Sequence, residues 1–559
     1  MNPQQTGDSG AWPVPRAVAL AAALMMMGGQ AQAQEELDST SDFKINWTNT
    51  VKYSGAARTA GHDAALVGNP ATASNVDDGD RNFGKGLISN RLELSSELDV
   101  VSSRGFGARL SATGWYDTVY NRSNDNPGFA GGAFPNSTSV APDAFTSQTR
   151  KLHGRKVEVR DAFVFGKTDI GGMPVTARLG QHALVWGESL FFASNAIAGG
   201  QSSFDISRLL ADPTAQAKEF VLPVPQLSAQ LQVSSTLTLG AYYQFRHKPN
   251  RLPAVGSYFS VSDVVGEGAE RLLLPSPLAP ALRTADQKAR NSGQFGLQAK
   301  WRLGETDLGL YAIRFHDKDP QQVSRLGGIA PQLYPASYYL AHHEGTTAYG
   351  ASASHSFGDV NVALEGSIRH QQSLASAGHA ADVSGVFGGP ANDNQSNPAY
   401  AVGNTAHINA SAIWALQPSA LWREASFVGE MAWNRLLSCR QSCNNLDPNA
   451  TRDAVSFRAV FEPMYRQVMP GLDLSVPMGV GYTPKGSRSV LGPSAVPPEG
   501  GGDFTLGLSG LYQQAWRFSV AYTHFFGSAG TLLDASQSFS YQQSRKDRNF
   551  LSFSVRRSF

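Results

Sequence analysis

The chain has 559 residues, of which 41% are hydrophobic and 16% are charged, and its formal net charge is +1 at pH 7. The charged share lies below the roughly 25% that is usual for soluble domains. A net charge this close to zero excludes the strong field by which a protein attracts nucleic acid or other charged polymers. The long apolar run at residues 17–28 is too short to cross a bilayer as a helix.

The first predicted element is a secretory signal peptide over residues 1–33. Arg16 places a positive charge before the apolar run, and the residues up to Ala33 fit an A-x-A cleavage site. A buried helix is the alternative, but charge, apolar core and cleavage site stand in the order that a signal peptide requires. We therefore expect cleavage near Ala33 and a mature chain, residues 34–559, beyond the inner membrane.

The mature chain carries segments of about ten residues in which apolar and polar residues alternate. Val362, Leu364 and Ile368 alternate with Glu365 and Arg369, for example. We count eighteen such strands, with sixteen as the alternative. Their starts lie near residues 43, 86, 105, 156, 174, 226, 236, 293, 306, 346, 359, 404, 425, 453, 471, 503, 515 and 548.

The links between these strands alternate in length. Short links include 102–104, 304–305 and 358–359, whereas the links near 120–155 and 248–292 are long. Outer-membrane barrels have short turns on one side of the membrane and long loops on the other. Unpaired backbone groups are costly in hydrocarbon, so strands span a membrane only as a closed sheet. The sequence predicts an all-β fold, a transmembrane antiparallel β-barrel in the outer membrane of a Gram-negative cell.

The chain ends in a predicted strand with an apolar face formed by Leu551, Phe553, Val555 and Phe559. This pattern resembles the terminal strand that the outer-membrane assembly machinery recognises. We therefore expect that machinery, together with outer-membrane lipid, among the partners of the chain. Arg557 departs from the pattern, in which an apolar residue is usual at that position.

The side chains expected to face the lumen carry balanced charges. The basic ones are Lys44, Lys52, Arg91, Arg160, Arg178, Arg369 and Arg458; the acidic ones are Glu93, Glu97, Asp99, Glu158, Glu365, Glu430 and Glu462. A pore that selects anions or cations would be lined mainly by one sign of charge. The balance indicates a charge network that braces the wall or holds an inserted segment. Scattered charges in contact with lumen water are the alternative.

Residues 187–225 connect two strands but contain no clean strand of their own, only a short helical candidate. Such a long loop is unusual unless it is functional or disordered, and this one is too apolar for disorder. We expect it to fold into the barrel as a lumen insert, with a lid across the outer mouth as the alternative. The predicted constriction, which would contact the solute, is formed by Trp186, Glu188, Phe191, Phe192 and Asn195.

Cys439 and Cys443 lie close together in a polar stretch and predict a local disulfide, because no further metal-ligating residues cluster nearby. Asp78, Asp80 and Asn82 have the D-x-D-x-N spacing that can open a calcium loop. The Gly and Glu that an EF-hand needs further on are missing, so we interpret this stretch as a surface turn. We expect no metal and no cofactor.

No complete catalytic constellation is visible. His182 and Ser189 could imitate part of a triad, but the third partner is missing, and the mature chain has no G-x-S-x-G elbow. We expect no catalytic residues and no enzymatic activity. A serine hydrolase that depends on Ser189 is the weakest of the hypotheses.

Three stretches resemble a known family. They are residues 77–92 with Asp77-Asp78-Gly79-Asp80-Arg81-Asn82-Phe83-Gly84-Lys85-Gly86, residues 178–197 with Trp186-Gly187-Glu188-Ser189, and residues 219–225 with Glu219-Phe220-Val221-Leu222-Pro223-Val224-Pro225. Together they are similar to the proteobacterial domain of unknown function 1302, from the first mature strand to the terminal Phe. The resemblance implies a Pseudomonas-type outer-membrane protein that often neighbours a resistance-nodulation-division (RND) exporter.

Two functions follow as hypotheses. The first is a porin-like channel through which small lipophilic or amphipathic compounds pass, working with an RND-type export system. The alternative is a structural component that docks a periplasmic partner of such a system and transports nothing itself. Neither hypothesis involves nucleic acid.

Overall fold

The computed structural model describes residues 42–68, 73–128, 137–212, 215–275, 277–487 and 497–559. The predicted signal peptide, residues 1–33, lies outside the described residues. Within the described ranges, no helix has the length and apolar character needed to cross a membrane.

In these residues, eighteen antiparallel strands form one sheet, which confirms the predicted count; the fifteenth is split into two segments around Pro477. The strands are β1 (Phe43–Arg58), β2 (Gly86–Ser102), β3 (Phe106–Asp117), β4 (Arg155–Ile170), β5 (Met173–His182), β6 (Val224–Gln232), β7 (Leu237–Gln244), β8 (Gln294–Leu303), β9 (Thr306–Phe315), β10 (Thr346–Phe357), β11 (Val360–Ser373), β12 (Val402–Leu416), β13 (Glu424–Gln441), β14 (Asp453–Met469), β15 (Leu472–Ser475 and Met478–Lys485), β16 (Gly501–Tyr512), β17 (Trp516–Phe526) and β18 (Phe550–Ser558).

The sheet closes on itself. β1 pairs with β2 on one side and with β18 on the other, in a register that runs from Thr50 opposite Ser558 to Arg58 opposite Phe550. At the end of the chain, the Phe559 N–H donates to the Asn49 carbonyl at 2.9 Å. Closure leaves no free edge in the sheet, and this is the condition under which strands can span hydrocarbon.

The two faces of the wall differ in chemistry, as β11 illustrates. Leu364 is 55% exposed and Ile368 47% exposed, whereas Glu365 is 2% exposed and Arg369 3% exposed. Successive side chains of a strand point to opposite faces. The apolar outer side is therefore the lipid-facing side, and the polar inner side is called the lumen face below.

Link length separates the two ends of the barrel, as predicted. The short links are 103–105, 171–172, 233–236, 304–305, 358–359, 417–423, 470–471 and 513–515. The long ones are loop 1 (59–85), loop 2 (118–154), loop 3 (183–223), loop 4 (245–293), loop 5 (316–345), loop 6 (374–401), loop 7 (442–452), loop 8 (486–500) and loop 9 (527–549). All nine lie at one end of the barrel, called the long-loop end; the other is the short-turn end.

The long loops have structure of their own. Loop 5 forms a hairpin, Gln321–Ile329 with Gln332–Ala341, where the sequence predicted only a loop. Short strands of loops 4 and 6 extend this hairpin to a five-stranded sheet: Arg271–Leu272, Ala281–Arg283 and Ala381–Asp382. Loop 3 contains the strand pair Ser203–Phe204 and Val221–Leu222. Among the described residues, the helices are Ala64–Val67, Asp78–Arg81, Ser147–Thr149, Arg150–Gly154 (a π-helix), Ala198–Gln201, Ile206–Ala211, Ala217–Phe220 and Ser384–Phe387, with 3-10 turns at Val119–Asn121, Ala377–His379 and Cys443–Asn445.

An aromatic core holds loops 1, 2 and 4 together over the barrel mouth. Phe83 of loop 1 lies with its ring centroid 5.4 Å from that of Tyr258 in loop 4 and 5.8 Å from that of Tyr120 in loop 2. Phe550, fully buried at the start of β18, joins the same cluster. Aromatic pairs at these separations stabilise packing beyond simple area burial.

The departure of Arg557 from the expected terminal pattern has a local cause. Leu551, Phe553 and Phe559 are each at least 40% exposed, as lipid-facing side chains should be. The Arg557 guanidinium instead lies 5.2 Å from the ring centroid of Trp516 on neighbouring β17, and its residue is only 8% exposed. A cation over an indole face is attracted by the ring quadrupole, so the charge has a partner at this position.

Candidate functional site

Loop 3 is hydrogen-bonded to the lumen face of β11, β12 and β13. The Glu430 carboxylate on β13 accepts from the backbone N–H groups of Leu190 at 3.1 Å, of Phe192 at 3.0 Å and of Phe191. Its second oxygen accepts from the Asn409 side chain at 2.7 Å. One ionisable group therefore pairs three consecutive N–H groups that have no partner in a helix or sheet.

A second carboxylate holds the same loop from the neighbouring side. Glu365 on β11 accepts from the N–H groups of Glu188 at 2.7 Å and of Ile197 at 2.5 Å. Gly187 lies directly against this carboxylate with a φ of +94°, and a side chain there would collide with it. This close contact explains why the second residue of the Trp-Gly-Glu-Ser stretch is a glycine.

Arg369 completes the anchorage by pairing the carbonyl groups of the loop. Its guanidinium donates to the backbone oxygens of Ser194 at 3.1 Å, Asn195 at 2.8 Å and Ala196 at 2.9 Å. The Asn195 side chain reaches across to β12 and donates to Asn409 at 2.8 Å. The two carboxylates thus pair N–H groups of residues 188–197, and the guanidinium pairs carbonyl groups of the same segment.

Three of the five predicted constriction residues are buried against protein. Trp186 is 5% exposed, Phe192 4% and Asn195 1%; Glu188 and Phe191 are partly exposed. The Trp186 ring centroid lies 5.0 Å from that of Tyr242 on β7. These side chains anchor loop 3, and their contact with a solute stays a prediction.

The second half of loop 3 is held by ion pairs. Arg208, on the helix Ile206–Ala211, pairs in bidentate fashion with Glu93 of β2 at 2.6 and 2.8 Å. Arg91 also binds Glu93, at 2.9 Å, and Lys52 of β1 binds Asp212 of the loop at 2.5 Å. The sequence pointed to Arg91, Glu93 and Lys52 by strand phase, but Arg208 and Asp212 lie outside any strand and gave no such signal.

Other members of the predicted charge network make different contacts. Arg160 donates to the Val221 carbonyl of loop 3 at 2.8 Å. Arg458 instead pairs along the wall with Asp503 of β16 at 2.5 Å. The Arg178 guanidinium lies 5.7 Å from the ring centroid of Phe163. The structure therefore brings Arg160 to the loop and places Arg458 and Arg178 against the wall.

Cys439 and Cys443 form a disulfide at the end of β13, as predicted. Next to it, the Ser442 hydroxyl donates to the Pro398 carbonyl of loop 6 at 2.6 Å, and the Asn445 side chain donates to the Ala399 carbonyl at 2.7 Å. The pair thus lies at a junction between loops 6 and 7.

Three cavities follow one another beside loop 3. Cavity A, of about 200 Å³, lies at the long-loop end; cavity B has about 90 Å³, and cavity C, near the short link 513–515, has about 400 Å³. Phe259 lines both A and B, while Glu93 and Arg208 line both B and C. Phe259 and the Glu93–Arg208 pair therefore separate neighbouring cavities.

Cavity A combines an apolar wall with buried cations. Its apolar lining is Phe204, Leu252, Pro253, Phe259, Val261, Val265, Phe315, Pro320, Ala375, Leu532, Leu533 and Phe539, and Asp317 and Asp319 also line it. Lys318 is 5% and Arg545 9% exposed, and neither has a carboxylate within ion-pair distance among the described residues. The Lys318 ammonium donates to the neutral side-chain oxygen of Gln294 at 3.1 Å. Burial lowers the pKa of Lys318 to about 7, with Asp317 opposing the shift.

The two residues that resembled part of a triad are engaged separately. His182 is paired through Nε2 with the Ser228 hydroxyl at 2.8 Å. The Ser189 hydroxyl is 3.4 Å from the side-chain nitrogen of Asn409. Neither described contact joins His182 to Ser189, so the geometry gives the hydrolase hypothesis no support.

A closed antiparallel sheet with an apolar outer face, a polar lumen face and links separated by length defines the class: an outer-membrane β-barrel protein. Within that class, the chain belongs to the family described as protein of unknown function (DUF1302), whose model matches residues 14–559. The match confirms the resemblance in the sequence.

Solved structures of outer-membrane proteins are similar to the chain. OccAB1 of Acinetobacter baumannii is 10% identical, with 95% of this chain and 99% of that chain covered and a TM-score of 0.43. A BenF-like porin from Pseudomonas fluorescens Pf-5 is 12% identical, with 93% and 98% covered and a TM-score of 0.40. Pseudomonas aeruginosa OccD3 is 10% identical, with 95% and 94% covered and a TM-score of 0.40. Curated proteins give no match.

Proposed function

We propose that the protein is an outer-membrane channel for small amphipathic compounds that carry an anionic group. Cavity A is the observation that carries this proposal, because it sets a largely apolar wall beside Lys318 and Arg545, two buried cations that form no ion pair with a carboxylate in the described part of the chain. Buried charges normally have a partner, and ligand sites typically join an apolar lining to a few polar groups. An alkyl chain that ends in a carboxylate would satisfy both parts of the cavity.

The same proposal assigns residues 187–225 the role of an insert that narrows the lumen. Different parts of loop 3 line successive cavities: Phe204 faces cavity A, Ser207 faces cavity B and Lys218 faces cavity C. A solute that moves from A to C must pass Phe259 and then the Glu93–Arg208 pair. We infer that these two points are the barriers of the route, and that the buried anchors around Trp186 and Asn195 hold the loop in position.

The test is conductance in planar bilayers, with Phe259→Ala as the widening variant. We expect a higher conductance for this variant, because a ring between cavities A and B is removed. Phe504→Ala is the matched control: Phe504 is a lipid-facing Phe of β16, and its loss should leave conductance unchanged. Equal conductance of Phe259→Ala and the wild type would contradict this route.

The solute class is tested in the same bilayers by current block. An alkyl carboxylate should block the ion current at lower concentration than a neutral alkyl glycoside of the same chain length, because only the carboxylate pairs with Lys318 and Arg545. Lys318→Met should reduce this difference. Equal block by both amphiphiles would contradict the proposed preference for a solute with an anionic group. The proposal of a channel for lipophilic compounds would still stand.

A second candidate is a structural component that docks a periplasmic or RND-export partner without transport of its own. The dense anchorage of loop 3 across the lumen favours it, since a segment held by Glu365, Glu430 and Arg369 could act as a fixed plug. Absence of conductance in the wild type, together with a partner that co-purifies in stable stoichiometry, would support this role. Recognition of the strand ending at Phe559 by the assembly machinery is likewise a prediction.

A further inference from the structure

Three carboxylates converge at the long-loop end and do not line cavity A, B or C. Asp77 and Asp78 belong to loop 1 and Asp263 to loop 4, and one carboxylate oxygen of each lies within 4.8 Å of the others. Asp263 is 185 residues from Asp78 in sequence. The cluster therefore arises from the folding of two loops onto each other.

The cluster is buried, and several of its oxygens have no hydrogen-bond partner. Asp77 is 1% exposed and Asp263 0% exposed. Both carboxylate oxygens of Asp77 and Oδ1 of Asp263 accept no hydrogen bond in the described residues. The other oxygen of Asp263 accepts from the N–H groups of Asp77 and Asp78, and Asp78 accepts from the Ser137 hydroxyl. Buried carboxylates with free lone pairs are costly unless a cation balances them.

The neighbouring charges leave this cluster unbalanced. Asp80, one turn further on, is paired with Arg58 at 2.6 Å. The only ion pair described for the cluster joins Arg81 to Asp77, with Nε of Arg81 3.8 Å from the Asp77 carboxylate. The Nη2 group of Arg81 donates to the Gly128 carbonyl at 2.6 Å. Three carboxylates against one guanidinium leave a formal charge of −2, which one divalent cation would neutralise.

We propose that Asp77, Asp78 and Asp263 bind a calcium ion that ties loop 1 to loop 4. Carboxylate oxygens are the ligands that hard divalent cations prefer, and Ca²⁺ accepts the irregular geometry of donors from two loops more readily than Mg²⁺ does. The backbones also meet closely here: a side chain at Gly79 would collide with the carbonyls of Ser257 and Ser260.

The D-x-D-x-N stretch does not form the predicted surface turn: Asp78 begins the helix Asp78–Arg81, and Asp80 and Asn82 are buried. In the D-x-D-x-N stretch, only Asp78 joins the cluster. Asp80 pairs with Arg58, and the Asn82 side chain donates to the Gly256 carbonyl at 2.9 Å. The site differs from a linear calcium loop because Asp77 and Asp263, outside the motif, supply the remaining carboxylates.

Metal content of the full mature chain, refolded in detergent without lipopolysaccharide, tests the proposal. After chelation and dialysis against buffered Ca²⁺, we expect one tightly bound Ca²⁺ per chain. Asp263→Asn keeps an oxygen for the two N–H groups but removes a charge, and should weaken Ca²⁺ binding at least about tenfold. Asp143→Asn, which changes an exposed acid of loop 2, is the matched control and should bind Ca²⁺ as the wild type does.

A second measurement separates loss of binding from loss of folding. Heat-modifiable migration on gels reports the folded barrel, and limited proteolysis reports loops 1 and 4. We expect Ca²⁺ to slow cleavage of these loops in the wild type and not in folded Asp263→Asn. The proposal is overturned if the folded wild type takes up no Ca²⁺, if Asp263→Asn binds it equally well, or if only Mg²⁺ binds.

Discussion

The two halves of loop 3 are held in different ways. Residues 187–197 are fixed through their backbone, with Glu365 and Glu430 accepting from N–H groups and Arg369 donating to carbonyls. Residues 203–222 are held mainly by charged side chains, with the Glu93–Arg208 pair at the centre. Buried backbone groups that lose a partner cannot find another, whereas an ion pair at the wall of a cavity can exchange its partner for water. We therefore expect the first half to act as a fixed support and the second half to be the part of the loop that moves.

The largest effect is expected from Glu430→Ala, which tests the first half of loop 3, residues 187–197. It would leave three N–H groups without an acceptor, at a cost of about 1–3 kcal/mol for the buried one of Phe192 and less for those of Leu190 and Phe191, which water can reach. We expect residues 190–192 to detach and to exchange their amide protons much faster, measured by hydrogen–deuterium exchange. Glu430→Gln keeps one acceptor oxygen and should show a smaller change. Unchanged protection in Glu430→Ala would mean that this carboxylate does not hold the loop.

Arg369→Lys should have the next largest effect. Lysine keeps the charge, but its ammonium does not extend as far as Nη2, the single guanidinium nitrogen that contacts the carbonyls of Ser194, Asn195 and Ala196. We expect faster proteolysis of loop 3 and noisier single-channel current than in the wild type. Arg466→Lys, a change of the same type at the short-turn end, serves as the control. If both variants behave like the wild type, charge alone explains the role of Arg369.

Arg208→Met tests how the second half of loop 3, residues 203–222, is held. The substitution removes the bidentate partner of Glu93, which retains Arg91 at 2.9 Å. We expect a higher conductance, because the barrier between cavities B and C weakens, and a smaller response of conductance to ionic strength. A lower conductance would show that the pair supports the route and does not obstruct it.

The smallest predicted effect is a pH dependence of amphiphile binding through Lys318. Its lowered pKa of about 7 means that the ammonium is charged below neutral pH and neutral above it. The alkyl carboxylate stays ionised over this range, so its affinity should fall as pH rises through 7, by about fivefold for one charged contact of about 1 kcal/mol. Lys318→Met should remove the dependence. A pH response that persists in this variant would point to Asp319, which lines the same cavity and whose pKa is raised by burial.

Much of the fold could be predicted because its signals are local. The alternation of apolar and polar residues in segments such as 360–369 predicts a strand and also which side chains face lipid or the lumen. The length of each link predicts the end of the barrel at which it lies. The same period-two alternation placed Glu93, Glu365 and Arg369 on the lumen face. It could not identify Arg208 or Phe259, since residues in a helix or a loop carry no period-two signal. Nor could it foresee the loop 5 hairpin, whose partner strands come from loops 4 and 6.

By itself, the sequence determined that this chain closes into a barrel with an apolar exterior, because side-chain alternation and turn length act between near neighbours. Only the tertiary structure decided which lumen charge meets which part of loop 3, and which acids share a cluster. Glu188 and Glu365 are 177 residues apart, and Asp77 and Asp263 are 186 apart. Such pairs become neighbours only when the barrel closes and its loops fold across the mouth, so no local pattern can encode them.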